Sequence, residues 1–350
     1  LLVFSTDLWK VDLLKKMDAD PAAACAAWRL GRTVRQQPNG HPAGQGLYNM
    51  HFEQRTIKTP VNCEGVGLHS GKKVRMTIHP APVNHGIKFR RVDLTGTPGV
   101  TAQFNRVVDT SLATVIGNDG CIVSTIEHLM ATFAGLSIDN ALVDLDAHEV
   151  PVMDGSAGPF TRMIVEGGIQ NQGVARHYFV LKEKIELKEG DKSVTVHPSD
   201  SFRITCSIDF KHPLIGKQEL SFDVTDERFA SEISNARTFG FLHEVEYLKR
   251  YGLAQGGSLD NAVVIDKDRI VNQDGLRYPD EFVRHKVLDC LGDFSLLGMP
   301  ILGHLIVCRS GHQFNHAFLE KFFSEKALWE TCAVPRRNGL SLAPPKSVAN

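Results

Sequence analysis

The 350-residue chain contains no C-x-x-C pair, no excess charge of either sign and no long apolar run. Its seven cysteines are odd in number and scattered, which argues against a disulfide scaffold and fits a reducing cytoplasm. Lys plus Arg total 39 and Asp plus Glu total 40, a formal charge of −1, so the basic surface of a nucleic-acid-binding protein is absent. No stretch approaches the roughly 20 apolar residues that span a bilayer. The first residues, Leu1 to Leu14, are interrupted by Asp7, Lys10 and Asp12 and do not match a secretory signal. Two familiar catalytic strings are also missing. His148-Glu149 and His243-Glu244 begin the zinc-protease pattern H-E-x-x-H, but neither continues it. "GVGLHSGKK" (65–73) carries Gly-x-Gly without the GxGxxG spacing, and its Gly-Lys lacks a P-loop's Ser/Thr, so a hairpin turn is expected there.

The length allows one large or two ordinary domains. Residues 1–49, with an Ala cluster and the run "RQQPNGHPAGQG", show no strand pattern and only a short candidate helix near Leu8 to Met17. Met50 reads as the natural start, which makes 1–49 a poorly ordered extension; a flexible arm is the alternative. Beyond Met50 the chain echoes itself. "TIHP" (77–80) and "TVHP" (195–198) each end a strand-like run after a Gly-containing turn. "GLSIDNALV" from Gly135 and "GMPILGHLIV" from Gly298 each follow a helix and lead into a strand. A duplicated α+β unit is expected, with halves at 50–172 and 173–345 and the join in the Gly-rich stretch "EGGIQNQGVAR" (166–176).

"EFVRHKVLDCLGD" (281–293) reads as a largely buried helix, yet His285, Asp289 and Asp293 recur every fourth residue along one ridge. A second helix, "STIEHLMATFAGL" (124–136), carries Glu127 and His128 in its first turn. Taken alone, Ser124-x-x-Glu127 reads as a capping box and His128 as a structural histidine. Taken together, His128, His285 and Asp289 offer two imidazoles and a carboxylate. Three such ligands with an open fourth position describe a catalytic zinc site, and Glu127 beside them suits a general base. In "RSGH" (309–312), a loop histidine at a strand end could enter such a site or be an ordinary surface residue.

Seven strings in order, "GVGLHSGK", "STIEHL", "VPVMDGS", "ARTFGF", "GLAQGGSLDNAVV", "DEFVRHKVLDCLGD" and "SGH", resemble the UDP-3-O-acyl-N-acetylglucosamine deacetylase (LpxC) family from about Gln54 onward. The resemblance implies two similar α+β domains, each a β-sheet layer with helices, packed as a sandwich with the helices between the sheets. It implies a cytoplasmic, monomeric zinc amidase of Gram-negative lipid A biosynthesis. Such an enzyme removes the 2-acetyl group of UDP-3-O-(3-hydroxyacyl)-N-acetylglucosamine as acetate. One catalytic Zn2+ is implied, with Fe2+ as an alternative in the cell. By motif, the resemblance implies His128, His285 and Asp289 as metal ligands and Glu127 as base. His312 is implied as the cationic histidine and Asp293 as the carboxylate that charges it. Thr238 is implied as the hydroxyl on the carbonyl oxygen, and Phe239 and Lys286 as substrate contacts, Lys286 for the diphosphate. An acyl-chain insert is expected over about 239–272, with Leu248, Leu253, Ala254, Gly256 and Gly257 as candidates for its passage; ordinary core is the alternative for the leucines. Arg309 stands where Lys is expected and Glu244 where some relatives have Asp, so nucleotide contacts are less secure than the metal site.

Overall fold

The computed structural model describes residues 51–333. The expected extension over 1–49, the candidate helix near Leu8 and the last residues of the second half lie outside the described residues.

Two sheets carry the fold, one of five strands and one of seven, and five strands of the second repeat the topology of the first. The first is built from β2 (Val61–Val66), β3 (Lys73–Pro80), β4 (Ile87–Arg91), β5 (Gly99–Thr101) and β9 (Ala141–Leu145), in the order β2-β3-β9-β4-β5. Within the second, the matching strands follow the path β12-β13-β19-β14-β15, from β12 (Ile185–Glu189), β13 (Lys192–Pro198), β14 (Phe202–Asp209), β15 (Lys217–Asp223) and β19 (Ile301–Cys308). In each, the hairpin strand ending in T-x-H-P runs antiparallel to the last strand of the unit. That last strand then pairs in parallel with the next. The duplication legible in the sequence is therefore a duplication of strand order and direction.

Strand alternation explains which face each sheet buries. Val74, Met76 and Ile78 of β3 point inward, as do Val194 and Val196 of β13 and Ile204, Cys206 and Ile208 of β14. Between the inner faces lie helices α1 (Glu127–Gly135) and α4 (Glu281–Ser295), which are buried over most of their length and pack directly on each other. The other helices of nine residues or more among the described residues are α2 (Gly158–Gly167), α3 (Leu242–Arg250) and α5 (His312–Ser324). One fully buried aliphatic or aromatic side chain contributes about 1.5–3 kcal/mol, and one contiguous cluster draws on both sheets and both helices.

Each unit also carries an insert just before its buried helix. In the first it is a three-stranded sheet, β6 (Val107–Asp109), β7 (Val115–Asn118) and β8 (Cys121–Val123). In the second it is β16 (Phe239–Phe241), helix α3, β17 (Val263–Asp266) and β18 (Arg269–Ile270), with β16 and β17 parallel. The second insert falls within the stretch at about 239–272 where an acyl-chain insert is expected. Additional strands tie the halves together. The Gly-rich stretch holds a regular strand, β10 (Ile169–Ala175), which pairs antiparallel with β1 (Glu53–Ile57). Next to it, β11 (His177–Leu181) joins β19 to β20 (Trp329–Ala333). The expected turn after Gly65 is the β2–β3 hairpin, with Gly71 at φ 65. Among the described residues no helix is long and apolar enough to cross a membrane.

Candidate metal centre and active site

The site forms where α1 and α4 touch. A Cβ on Gly292 would lie 2.1 Å from the Glu127 carbonyl oxygen, so only glycine lets the two helix backbones approach this closely. The approach brings the first turn of α1 against the ridge of α4. His285, Asp289 and Asp293 are all buried there, as are Glu127 and His128.

Among the described residues, His128, His285 and Asp289 form a group whose potential ligand atoms lie within 4.8 Å of one another. Asp289 Oδ1 is 3.3 Å from His285 Nε2 and 3.8 Å from His128 Nε2. Tetrahedral zinc with bonds of ~2.0–2.1 Å places neighbouring ligand atoms about 3.3 Å apart; the His285–Asp289 separation matches this, and the wider ones would close by up to about 1.5 Å around one ion. His285 Nδ1 lies 3.0 Å from the carbonyl of Ala236. A proton held there leaves Nε2 with a free lone pair facing the group. Burial pushes the His128 imidazole down to about 3, with His285 adding to the effect, and burial lowers His285 as well. Both rings are therefore neutral, as ligands must be. Burial opposes ionisation of Asp289, but the positive charges beside it, those of Lys286 and His312, outweigh it and hold the carboxyl well below the usual range. Lys286 Nζ donates to the other oxygen, Asp289 Oδ2, at 2.8 Å.

Glu127 and His312 flank this group. Burial raises the Glu127 carboxyl to about 7, with Asp289 and Asp293 adding to the rise and His312 opposing it. Its Oε2 accepts from the backbone N–H of Thr114 at 3.1 Å. The capping box read at Ser124 and Glu127 does not form. The Ser124 hydroxyl donates to the His148 carbonyl, and Ile126 occupies the position before α1. The loop position expected for His312 is also corrected: it is the first residue of α5, entered through Gly311. Burial disfavours the imidazolium of His312, but Asp293 and Glu127 prevail and raise it to about 10. Its Nδ1 meets Asp293 Oδ2 at 2.8 Å.

The other sequence candidates surround this centre. Phe239 packs edge-on against Phe282, with ring centroids 4.9 Å apart, and 6.2 Å from the His285 ring; Lys286 Nζ sits 5.7 Å above its face. Thr238 begins the second insert, its backbone bonded to Gly155 and Val263. Gly257 lies farther out on the insert. There the neighbouring Gly256 donates to the Leu68 carbonyl, and a Cβ on it would meet the Gly67 carbonyl at 2.2 Å. Leu248 is half-buried and Leu253 exposed, so neither is core, whereas Ala254 is buried. Arg309 is engaged by Asp191 and Asp209, and Glu244 is exposed on α3.

Several supporting residues escaped the sequence reading. Thr114 and Asn315 both bond Asp293. Buried Arg237 pairs with buried Glu281 at 2.9 Å, locking "ARTFGF" to the start of α4. Glu149, fully buried, accepts from the backbones of His69 and Ser70 and from Thr125. Arg237 and Glu281 stand inside the strings "ARTFGF" and "DEFVRHKVLDCLGD", and Glu149 in the pair His148-Glu149, without a role there; Thr114 and Asn315 carried no signal.

The LpxC family model, described as UDP-3-O-acyl N-acetylglycosamine deacetylase, matches residues 54–324. A Myxococcus xanthus protein named UDP-3-O-acyl-N-acetylglucosamine deacetylase is 49% identical over 82% of this chain and 91% of its own length. Proteins of the same name from Teredinibacter turnerae and Syntrophotalea carbinolica are 48% and 50% identical, over 80% and 79% of this chain and 93% and 90% of their own lengths. With a family model matching most of its length and relatives at this identity, the chain belongs to the LpxC deacetylase family.

Proposed function

We propose that this chain hydrolyses the 2-acetamido group of UDP-3-O-(3-hydroxyacyl)-N-acetylglucosamine in lipid A biosynthesis, using one zinc ion and releasing acetate. The observation that carries the reading is the convergence of His128, His285 and Asp289 with Glu127 on one side and a charged His312 on the other. When bound, zinc would polarise the acetamide carbonyl and lower the pKa of a water to about 7. Iron could fill the same donor set in the cell, since two imidazoles and a carboxylate also suit Fe2+.

Glu127, with a carboxyl near 7, takes the proton of the attacking water at its Oε atoms. A base poised near the working pH is the efficient choice. His312 holds its Nδ1 proton on Asp293, so the Nε2 proton is the one available to the departing amine. Before that transfer, its positive charge stabilises the oxyanion of the tetrahedral intermediate. Thr238 is assigned the carbonyl oxygen, with its hydroxyl as donor. Phe239 and Lys286 are assigned to substrate, Lys286 with its charge towards the diphosphate. The second insert, with Gly257 and Ala254, is assigned the acyl chain, where each buried methylene contributes about 0.8 kcal/mol. The domain division at 172/173 accompanies this reading, with the site between the two units.

Acetate release from the UDP-linked substrate, measured before and after chelation and again after zinc return, tests the reading. Activity lost to the chelator and restored by zinc is expected. Zinc-loaded protein that binds substrate and releases no acetate would instead make it a binding protein.

A further inference from the structure

Thr114 lies in the first insert, just before β7, and is 3% exposed. It bonds both flanks of the site. Its backbone N–H donates to Glu127 Oε2 at 3.1 Å, and its hydroxyl donates to Asp293 Oδ1 at 2.6 Å. Its carbonyl accepts from the backbone of Ile126, one residue before Glu127. Among the described residues no other residue bonds the carboxylates of both Glu127 and Asp293.

The Asp293 carboxylate is held on both oxygens. Oδ2 receives His312 Nδ1 and Asn315 Nδ2, each at 2.8 Å, while the bond from Thr114 reaches Oδ1. Remove that hydroxyl and a buried carboxylate oxygen loses its donor, so the group can rotate to recover one. Rotation would carry Oδ2 away from His312. The Thr114 hydroxyl has one proton, and the short bond to Asp293 uses it; His312 Nδ1, 3.3 Å away, is therefore the donor in any contact between those two. Threonine is stiff at χ1, so the N–H and the hydroxyl sit at a fixed separation. One residue thereby sets the distance between a carboxylate on α1 and a carboxylate on α4.

We propose that Thr114 is a positioning residue that holds the Asp293–His312 pair in register with Glu127, through its hydroxyl on Asp293. The proposal rests on the deacetylase reading for its kinetic consequence, and on geometry alone for its structural one.

Two variants separate the two bonds. Thr114→Val keeps the backbone N–H and the shape but removes the hydroxyl; Thr114→Ser restores the hydroxyl. In Thr114→Val kcat should fall roughly 10-fold, the low end for loss of an outer hydrogen-bond partner, with KM and zinc content unchanged. Thr114→Ser should recover most of the loss. In a His312→Ala background, Thr114→Val should cost nothing further. An independent readout needs no substrate: the downfield proton resonance of His312 Nδ1, identified by its loss in His312→Ala. It should shift in Thr114→Val and return in Thr114→Ser. An unmoved resonance, or wild-type kcat in Thr114→Val, would overturn the proposal. If the unaltered chain released no acetate, the deacetylase reading would fail, and the proton resonance would still decide for or against the positioning role.

Discussion

A carboxyl raised to about 7 and an imidazole raised to about 10 stand on either side of three candidate ligands. Both shifts are upward and come from one environment, yet they favour opposite charge states, a neutral carboxyl and a charged imidazole. Burial penalises charge on both, but His312 has Asp293 at hydrogen-bond distance, whereas Glu127 has two further carboxylates nearby. The difference suits the roles proposed for them: a base able to take a proton at neutral pH and a cation that stays charged. His312→Ala should therefore keep the metal and lose roughly 100-fold or more in kcat, as expected for removal of an oxyanion stabiliser. Steady-state kinetics with zinc analysis checks this, and undiminished turnover would remove His312 from the chemistry. At this scale the sequence showed the ridge of α4 clearly, because period-four spacing on one helix is a local property. Thr114 and Asn315 were not legible. Each is an ordinary polar residue whose partner lies 179 and 22 positions away, and no local pattern marks such a bond.

At the scale of elements, the decisive contact is the crossing of α1 and α4. Gly292 sits one residue before Asp293, against the backbone of Glu127. Gly292→Ala should force the helices apart and cost about 1–3 kcal/mol, the usual range for overpacking. Because His128 and Asp289 lie on opposite helices, zinc affinity should fall with stability. Urea denaturation and zinc titration of the variant check both; unchanged values would mean the crossing tolerates a methyl group and does not set the site. Elements also show where a local motif misleads. Ser124 and Glu127 have the spacing of a capping box, but Glu127 turns inward to Thr114 and Ser124 to His148. Spacing reports what a pair could do locally, and tertiary partners decided otherwise. The second insert lies in the stretch where the resemblance led one to be expected, whereas the first, which carries Thr114, has no marker in composition.

At the scale of the molecule, the halves are joined by strands and by charge. The repeated T-x-H-P strands and Gly-led returns made the duplication readable, because each copy folds from its own contiguous residues. The pairing of β1 with β10 joins segments more than 100 residues apart, and nothing but strand-like alternation near Gln54 marks it locally. Next to that pair, Arg55 Nη1 donates to Asp226 Oδ2 at 2.6 Å, linking β1 to the second unit. Burial alone would raise the Asp226 carboxyl, but His51 and Arg55 prevail and lower it to about 2. A carboxyl depressed on folding adds stability above its unfolded pKa, near 4, and loses it as pH falls towards the folded value. The stability advantage of the wild type over Asp226→Asn should therefore narrow by about 1 kcal/mol between pH 5 and pH 3. Denaturation curves at both values check this; a constant gap would mean that the Asp226 charge does not join the units.

The central claim is that His128, His285 and Asp289 hold one catalytic ion beside Glu127. Zinc stoichiometry and acetate release, measured on the same preparations of wild type, His128→Ala and Glu127→Ala, test it most directly. The account predicts one zinc per chain and full turnover in the wild type, neither in His128→Ala, and zinc without turnover in Glu127→Ala, down by roughly 10²–10⁴-fold. Full zinc occupancy in His128→Ala, or wild-type turnover in Glu127→Ala, would contradict it.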